Sequence, residues 1–199
     1  MKKNSDLFSN SFLKEIKQTV DLIDIHSVNS LVNKISKVRK KQGRIFFIGV
    51  GGSAANSSHS VNDFRKICNI ETYSLMDNFS EISARINDEG WDSSLKESLK
   101  INNLTSKDAI FVLSVGGGNL KKKVSVNIIE AIKFAKQKKS LVFSIVSSLG
   151  GFTKKHSDAS VVININNKSL ITPITESFQS IILHLIVTHP MLKISKKKW

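Results

Sequence analysis

Between residues 7 and 38, apolar side chains recur at Phe12, Leu13, Ile16, Val20, Leu22, Ile23, Val28, Leu31, Val32, Ile35 and Val38. Spacings of three and four predict helix. The pattern weakens over 23–29, so two helices or one bent one are expected, ending near Gly43. The period then changes. Residues 44–49 form a short apolar run bounded by glycine, which predicts a buried strand, and 54–68 return to helical spacing. A weaker strand is expected at 71–75, helices at 78–87 and 91–100, and the clearest buried strand at 108–115. Further along, 124–138 reads as an amphipathic helix, 140–147 as a strand, Gly150-Gly151 as a turn, 160–165 as a strand and 176–192 as a helix closed by Pro190.

Strands alternating with helices of this length imply right-handed crossovers. The predicted class is α/β: one domain with a mostly parallel sheet of about five strands, flanked by helices on both faces. Its organisation is a helical N-terminal segment over 1–42, the α/β domain over 43–192 and a basic tail over 193–199. No repeat, low-complexity block or linker suggests a second domain.

Composition narrows the functional classes. An apolar fraction of 40% supports a packed core, and the single cysteine, Cys68, excludes an intrachain disulfide and a four-cysteine zinc ribbon. The polar residues at 4–11 interrupt any signal-peptide core, and the apolar runs 45–50 and 181–187 fall far short of the ~20 residues that span a bilayer. The expectation is a soluble cytoplasmic protein without a membrane partner. Thirty Lys+Arg against sixteen Asp+Glu give a formal charge of +14. The lysines are scattered, clustering at 34–41, 121–123 and 196–198 without interleaved aromatics, which argues against nucleic acid and suits an anionic small substrate.

Two strands end in glycine-rich turns that open helices: Gly49-Val50-Gly51-Gly52-Ser53 and Ser114-Val115-Gly116-Gly117-Gly118-Asn119. At the carboxyl edge of a parallel sheet, such turns aim free N–H groups at an anion, and Ser53, Ser114 and Asn119 add side-chain donors. Neither turn matches the P-loop or the dinucleotide fingerprint, so ATP and NAD are not expected.

Polar side chains also interrupt apolar helix faces. His59 and Asp63 are four apart and share one face, and Glu176 and His184 interrupt the last helix. Taken singly, each is better read as packed or solvated; the four together suit a divalent metal, zinc first. Glu176 and His184 are separated by roughly 12 Å of helical rise. If one ion uses both, different copies of the chain are expected to supply them. Asn87-Asp88-Glu89-Gly90-Trp91 is a polar turn suited to substrate hydroxyls or to a helix cap. His26, His156 and His189 are assigned structural roles, and Cys68 is assigned to packing.

These motifs, with Thr175-Glu176, Phe178-Gln179 and His184, resemble the sugar isomerase (SIS) domain over roughly 43–192, and more narrowly the phosphoheptose isomerases. The apolar last helix and the N-terminal helices could supply a subunit interface, and the resemblance implies a homotetramer with active sites between subunits and one zinc per subunit at His59, Asp63, Glu176 and His184. It implies aldose–ketose isomerisation of sedoheptulose 7-phosphate to D-glycero-D-manno-heptose 7-phosphate through an enediol, serving surface-polysaccharide heptose. Asp63 would be the base and His184 the proton carrier. Gly51, Gly52, Ser53, Ser114, Gly116, Gly117, Gly118 and Asn119 would hold the phosphate, with Asn87, Asp88 and Glu176 at the sugar. This chain departs from the family in Asp63 for Glu, Glu176 for Gln, a second loop with glycines in place of hydroxyls, and an insertion at 121–126. The competing expectation is a non-catalytic SIS module that binds a sugar phosphate or a protein partner, as regulators of replication initiation do.

Overall fold

A computed structural model of the chain describes residues 2–194; the 196–198 lysine cluster of the predicted tail lies outside them. Two helices open the chain, α1 (Lys2–Asp21) and α2 (Ile25–Lys40). Asp24 separates them by capping α2, its Oδ1 accepting from the His26 amide at 3.0 Å. There follow β1 (Ile45–Ile48), α3 (Gly52–Cys68), β2 (Thr72–Ser74), α4 (Phe79–Glu89), α5 (Ser94–Ile101), β3 (Ala109–Ser114), α6 (Val126–Gln137), β4 (Leu141–Ser147), α7 (Gly151–His156), β5 (Ala159–Ile163) and α8 (Ile171–Thr188).

The sheet runs β2-β1-β3-β4-β5 with every pair parallel. Ile45 pairs with Ala109, Ala109 with Leu141 and Phe143 with Ala159. Side chains alternate across the pleat, so each central strand serves two cores. Phe47, Phe111 and Phe143 face α2, α3 and α8, where Leu31, Ile35, Phe64, Phe178 and Ile182 cover them. Phe46, Ile110 and Val142 face the other way onto Leu95, Leu99, Ile128 and Ile132 of α5 and α6. Burial on both faces is why β1 and β3 read as unbroken apolar runs. Phe47 and Phe111 stack at 5.1 Å with Phe64 edge-on to both, a cluster that adds about 0.5–1.5 kcal/mol per ring pair beyond area burial.

The last helix ends at Thr188 rather than 192, before Pro190, and two further differences from the sequence expectation bear on the site. The Gly150-Gly151 turn leads into a one-and-a-half-turn helix, α7, too short for periodicity to register. The last helix starts at Ile171 rather than 176, because Pro173 falls in its first turn, where a missing N–H is no loss. Glu176 therefore lies inside α8. By length and composition the segment Lys168–Thr188 could cross a membrane, but half of it is buried, and α8 packs on α3, α2 and β4 as a core helix.

The strand order reverses direction between β1 and β3. The crevice beyond their carboxyl ends is where an open parallel sheet places ligands, and both glycine turns open onto it.

Candidate functional site

The β1–α3 turn places Gly51 at φ 63° and starts α3 at Gly52. Ser53, 2% exposed, and Ser114, 7% exposed, line a cavity of about 190 Å³ with Val115, Gly116, Ser125 and Glu176. The Ser114 hydroxyl accepts from the Gly117 amide at 3.0 Å, leaving its proton directed elsewhere. The start of α3, where the Ala54 and Ala55 amides already donate to the Gly51 carbonyl and those of Gly52 and Ser53 precede the first helical bond, thus sits beside two small hydroxyls, a cradle for an anion. Glu176 enters from α8. Its carboxylate lies against Gly52, where a Cβ would meet Oε2 at 2.4 Å, so a negative charge already rests at this helix start.

The glycines of the second turn divide by position. Gly116 lines the cradle. A Cβ on Gly117, at φ 66°, would fall 1.8 Å from the Gly150 carbonyl oxygen. Gly117 and Gly118 carbonyls accept from the amides of Thr153 and Phe152. Close approach to α7 is therefore a sufficient reason for Gly117. Asn119 pairs through its backbone with Val124, and its Oδ1 accepts from the Lys122 amide, which makes the 121–126 insertion a small hairpin. Asn119 and Gly118 line a larger, neighbouring cleft of about 650 Å³.

Two turns into α3, His59 and Asp63 meet His184 of α8. His59 Nε2 lies 3.0 Å from His184 Nε2 and 3.2 Å from Asp63 Oδ2, and His184 Nε2 lies 3.5 Å from the same oxygen. Asn62 donates to the other carboxylate oxygen at 3.1 Å. The Asp63 side chain is only 7% exposed, against 53% and 40% for His59 and His184, so a buried carboxylate forms the floor and two imidazoles the mouth. These separations are close to the about 3.3 Å edges of a tetrahedron with zinc–nitrogen bonds of usual length. Two imidazoles and one carboxylate fit a divalent transition metal, with a fourth position open.

The chain folds these three ligands together without help from a second copy. Glu176 is not among them; two turns along α8, it belongs to the cradle instead. Asn87 and Asp88 are exposed at the end of α4, hydrogen-bonded to each other at 2.8 Å, and line neither the cradle nor the neighbouring cleft. One contributor was overlooked. Asn56 Nδ2 donates to the Glu176 backbone oxygen at 2.8 Å and to Gln179 Oε1 at 3.1 Å, clamping α3 to α8 between the two parts of the site. Its signal was the spacing of Asn56, His59 and Asp63, which puts all three on one face.

No protein-family model matches the chain. It is 29% identical over 155 residues to the lincomycin biosynthesis protein LmbN of Streptomyces lincolnensis, covering 75% of this chain and 54% of that one. It thus spans about half the length of that relative. It is 23% identical over 155 residues to the phosphoheptose isomerase of Chlorobaculum tepidum, covering 74% and 71% respectively. The phosphoheptose isomerase GmhA of Neisseria gonorrhoeae superposes with a TM-score of 0.78 at 20% identity, covering 92% of this chain and 97% of that one. The fold is that of the SIS domain, as the motifs implied.

Proposed function

We propose that this chain is a phosphosugar aldose–ketose isomerase working through an enediol, with sedoheptulose 7-phosphate as its substrate. One observation carries the reading. The same two helices, α3 and α8, present a hydroxyl-lined anion cradle at one level and the His59/Asp63/His184 cluster further along. A phosphorylated sugar spans such a pair, its phosphate at Ser53, Ser114 and the α3 amides and its carbonyl end toward the imidazoles. The likeness to phosphoheptose isomerases in sequence and fold supports the same class.

Isomerisation moves one proton between adjacent carbons and one between their oxygens, with no external oxidant. Asp63 takes the proton beside the carbonyl: Asn62 holds its Oδ1, and Oδ2 is turned to the site. His184, within 3.5 Å of that oxygen, carries the proton between the two substrate oxygens. Burial of Asp63 keeps bulk water from the proton it holds, so the proton can return to the neighbouring carbon. Zinc held by His59, Asp63 and His184 would occupy the His184 Nε2 lone pair, and in that form the ion, rather than a proton on His184, would polarise the carbonyl and stabilise negative charge on the enediolate.

A homotetramer with sites at subunit contacts accords with exposed apolar side chains in two places. Leu7, Phe8, Leu13 and Val20 line α1, and Ile181 and Leu185 flank His184 on α8. A neighbouring copy there would close the open mouth and could bring Asp88 to the sugar.

The test is an isomerase assay on sedoheptulose 7-phosphate with purified wild type, Asp63→Asn and His184→Ala, each checked for native circular dichroism. Turnover in wild type and its loss by more than a hundredfold in both variants is expected. Full activity in both variants overturns the proposal. Saturable sugar-phosphate binding with no turnover by the wild type assigns the chain to the non-catalytic SIS modules.

A further inference from the structure

At the pole of the sheet opposite the cradle, five lysines surround one depression of about 290 Å³. Lys34, Lys37 and Lys41 come from the end of α2, Lys107 from the turn entering β3 and Lys139 from the turn entering β4. Among the described residues, none of the five forms an ion pair with an acidic side chain. The acids beside them are already engaged. Asp108, adjacent to Lys107, is 3% exposed and holds Arg44 at 3.0 Å together with Thr105. Asp158 holds Lys136 at 2.7 Å.

The backbone under these lysines is rigidly tied. Gly43 approaches the turn entering β3 so closely that a Cβ would fall 2.0 Å from the Lys107 carbonyl oxygen. Ser140 Oγ and the Leu141 amide both donate to the Asp108 carbonyl, fixing the Lys139 turn to the same strand. Cations at the C-terminal end of α2 suit its dipole, which accounts for Lys37 and Lys41. It does not account for Lys107 and Lys139, which come from two other loops and converge on the same depression.

We infer that this depression binds an oligophosphate, a chain of two or more linked phosphates, at a site separate from the sugar-phosphate cradle. Five lysines carry more positive charge than one phosphate, with at most two charges, would match. Lysines act as point charges, suited to tetrahedral phosphate oxygens rather than to a planar carboxylate fork. No aromatic side chain lines the depression, so neither a nucleobase nor a single-stranded nucleic acid finds a stacking surface. Val38 and Leu141 supply a small apolar floor.

Calorimetric titration of inorganic triphosphate into the full chain at low salt tests this. One saturable site per chain is expected, weakened at high salt. The variant Lys37→Glu/Lys139→Glu should bind at least about tenfold more weakly. The control Lys14→Glu/Lys17→Glu, an equal charge change on exposed positions of α1, should stay within about twofold. If the glutamate pair does not fold, Lys37→Gln/Lys139→Gln serves for the same comparison. Ser53→Ala should leave triphosphate binding intact, which keeps this site's fate separate from that of the cradle. Absence of binding, equal loss in the α1 control, loss in Ser53→Ala alone, or saturation by duplex DNA but not by triphosphate would each overturn the inference.

Discussion

His59 and His184, 125 residues apart in the chain, bring their Nε2 atoms to 3.0 Å above a shared Asp63 oxygen. Only one proton or one cation can lie between two nitrogens so placed, since two N–H groups would point at each other. With the Asp63 carboxylate beneath them, these nitrogens can ligate one cation. Purified protein is therefore expected to retain about one divalent ion per chain, removable by chelator. His184→Ala should bring the metal content measured by atomic absorption close to zero without changing helicity. Undiminished metal in that variant would place the ion elsewhere.

Glu176 puts a carboxylate where the cradle would hold a phosphate. Removing this like charge should strengthen phosphate binding by about 1 kcal/mol, a several-fold gain. In Glu176→Gln, the KM for the sugar phosphate should fall several-fold. A rise in KM would show that the carboxylate contacts the sugar directly.

Gly117 has both a positive φ and a backbone oxygen where its Cβ would be. Gly117→Ala should cost about 2–4 kcal/mol, read as a lowered midpoint in urea unfolding. Gly116→Ala meets nothing within 4 Å and should be nearly neutral for stability. Equal midpoints for the two variants would mean that the loop relaxes away from α7.

Burial pushes the Asp108 carboxyl up, but hydrogen bonds from the Arg44 side chain and amide and from Thr105 outweigh it and hold the group below the usual carboxylate value. A depressed native pKa contributes stability above the unfolded value near about 4 and loses it as pH falls through the native one. Asp108→Asn should cost about 1–3 kcal/mol at neutral pH and show a shallower loss of stability below about pH 4. Identical acid limbs in the two unfolding series would contradict this.

Cys68 is buried, and that burial pushes its thiol up to about 12, with Arg39 opposing and Asp63 adding to the shift. Thiolate is the reactive form. A thiol reagent at pH 8 should leave the native protein unlabelled and modify Cys68 only after denaturation. Rapid stoichiometric labelling of the folded chain would show that the α3–α8 core opens readily.

Much of this protein follows from local pattern. The continuous apolar runs of β1 and β3, the glycines that end them and the helical spacing between them specify a parallel α/β sheet, because periodicity and turn chemistry act within a few residues. His59 and Asp63 were legible as a pair for the same reason, being one helical turn apart. What local pattern does not contain is which helix face meets which. The strand order, set by packing on two cores, brings α8 against α3, so His184 joins the cluster while Glu176, two turns away, reaches the cradle. The contact with α7 gives Gly117 a packing role that its own turn does not reveal. The five lysines come from three separate segments and converge only where the sheet gathers the ends of α2, β3 and β4. Each of these depends on long-range burial, in which apolar faces choose their partners and carry the polar residues with them.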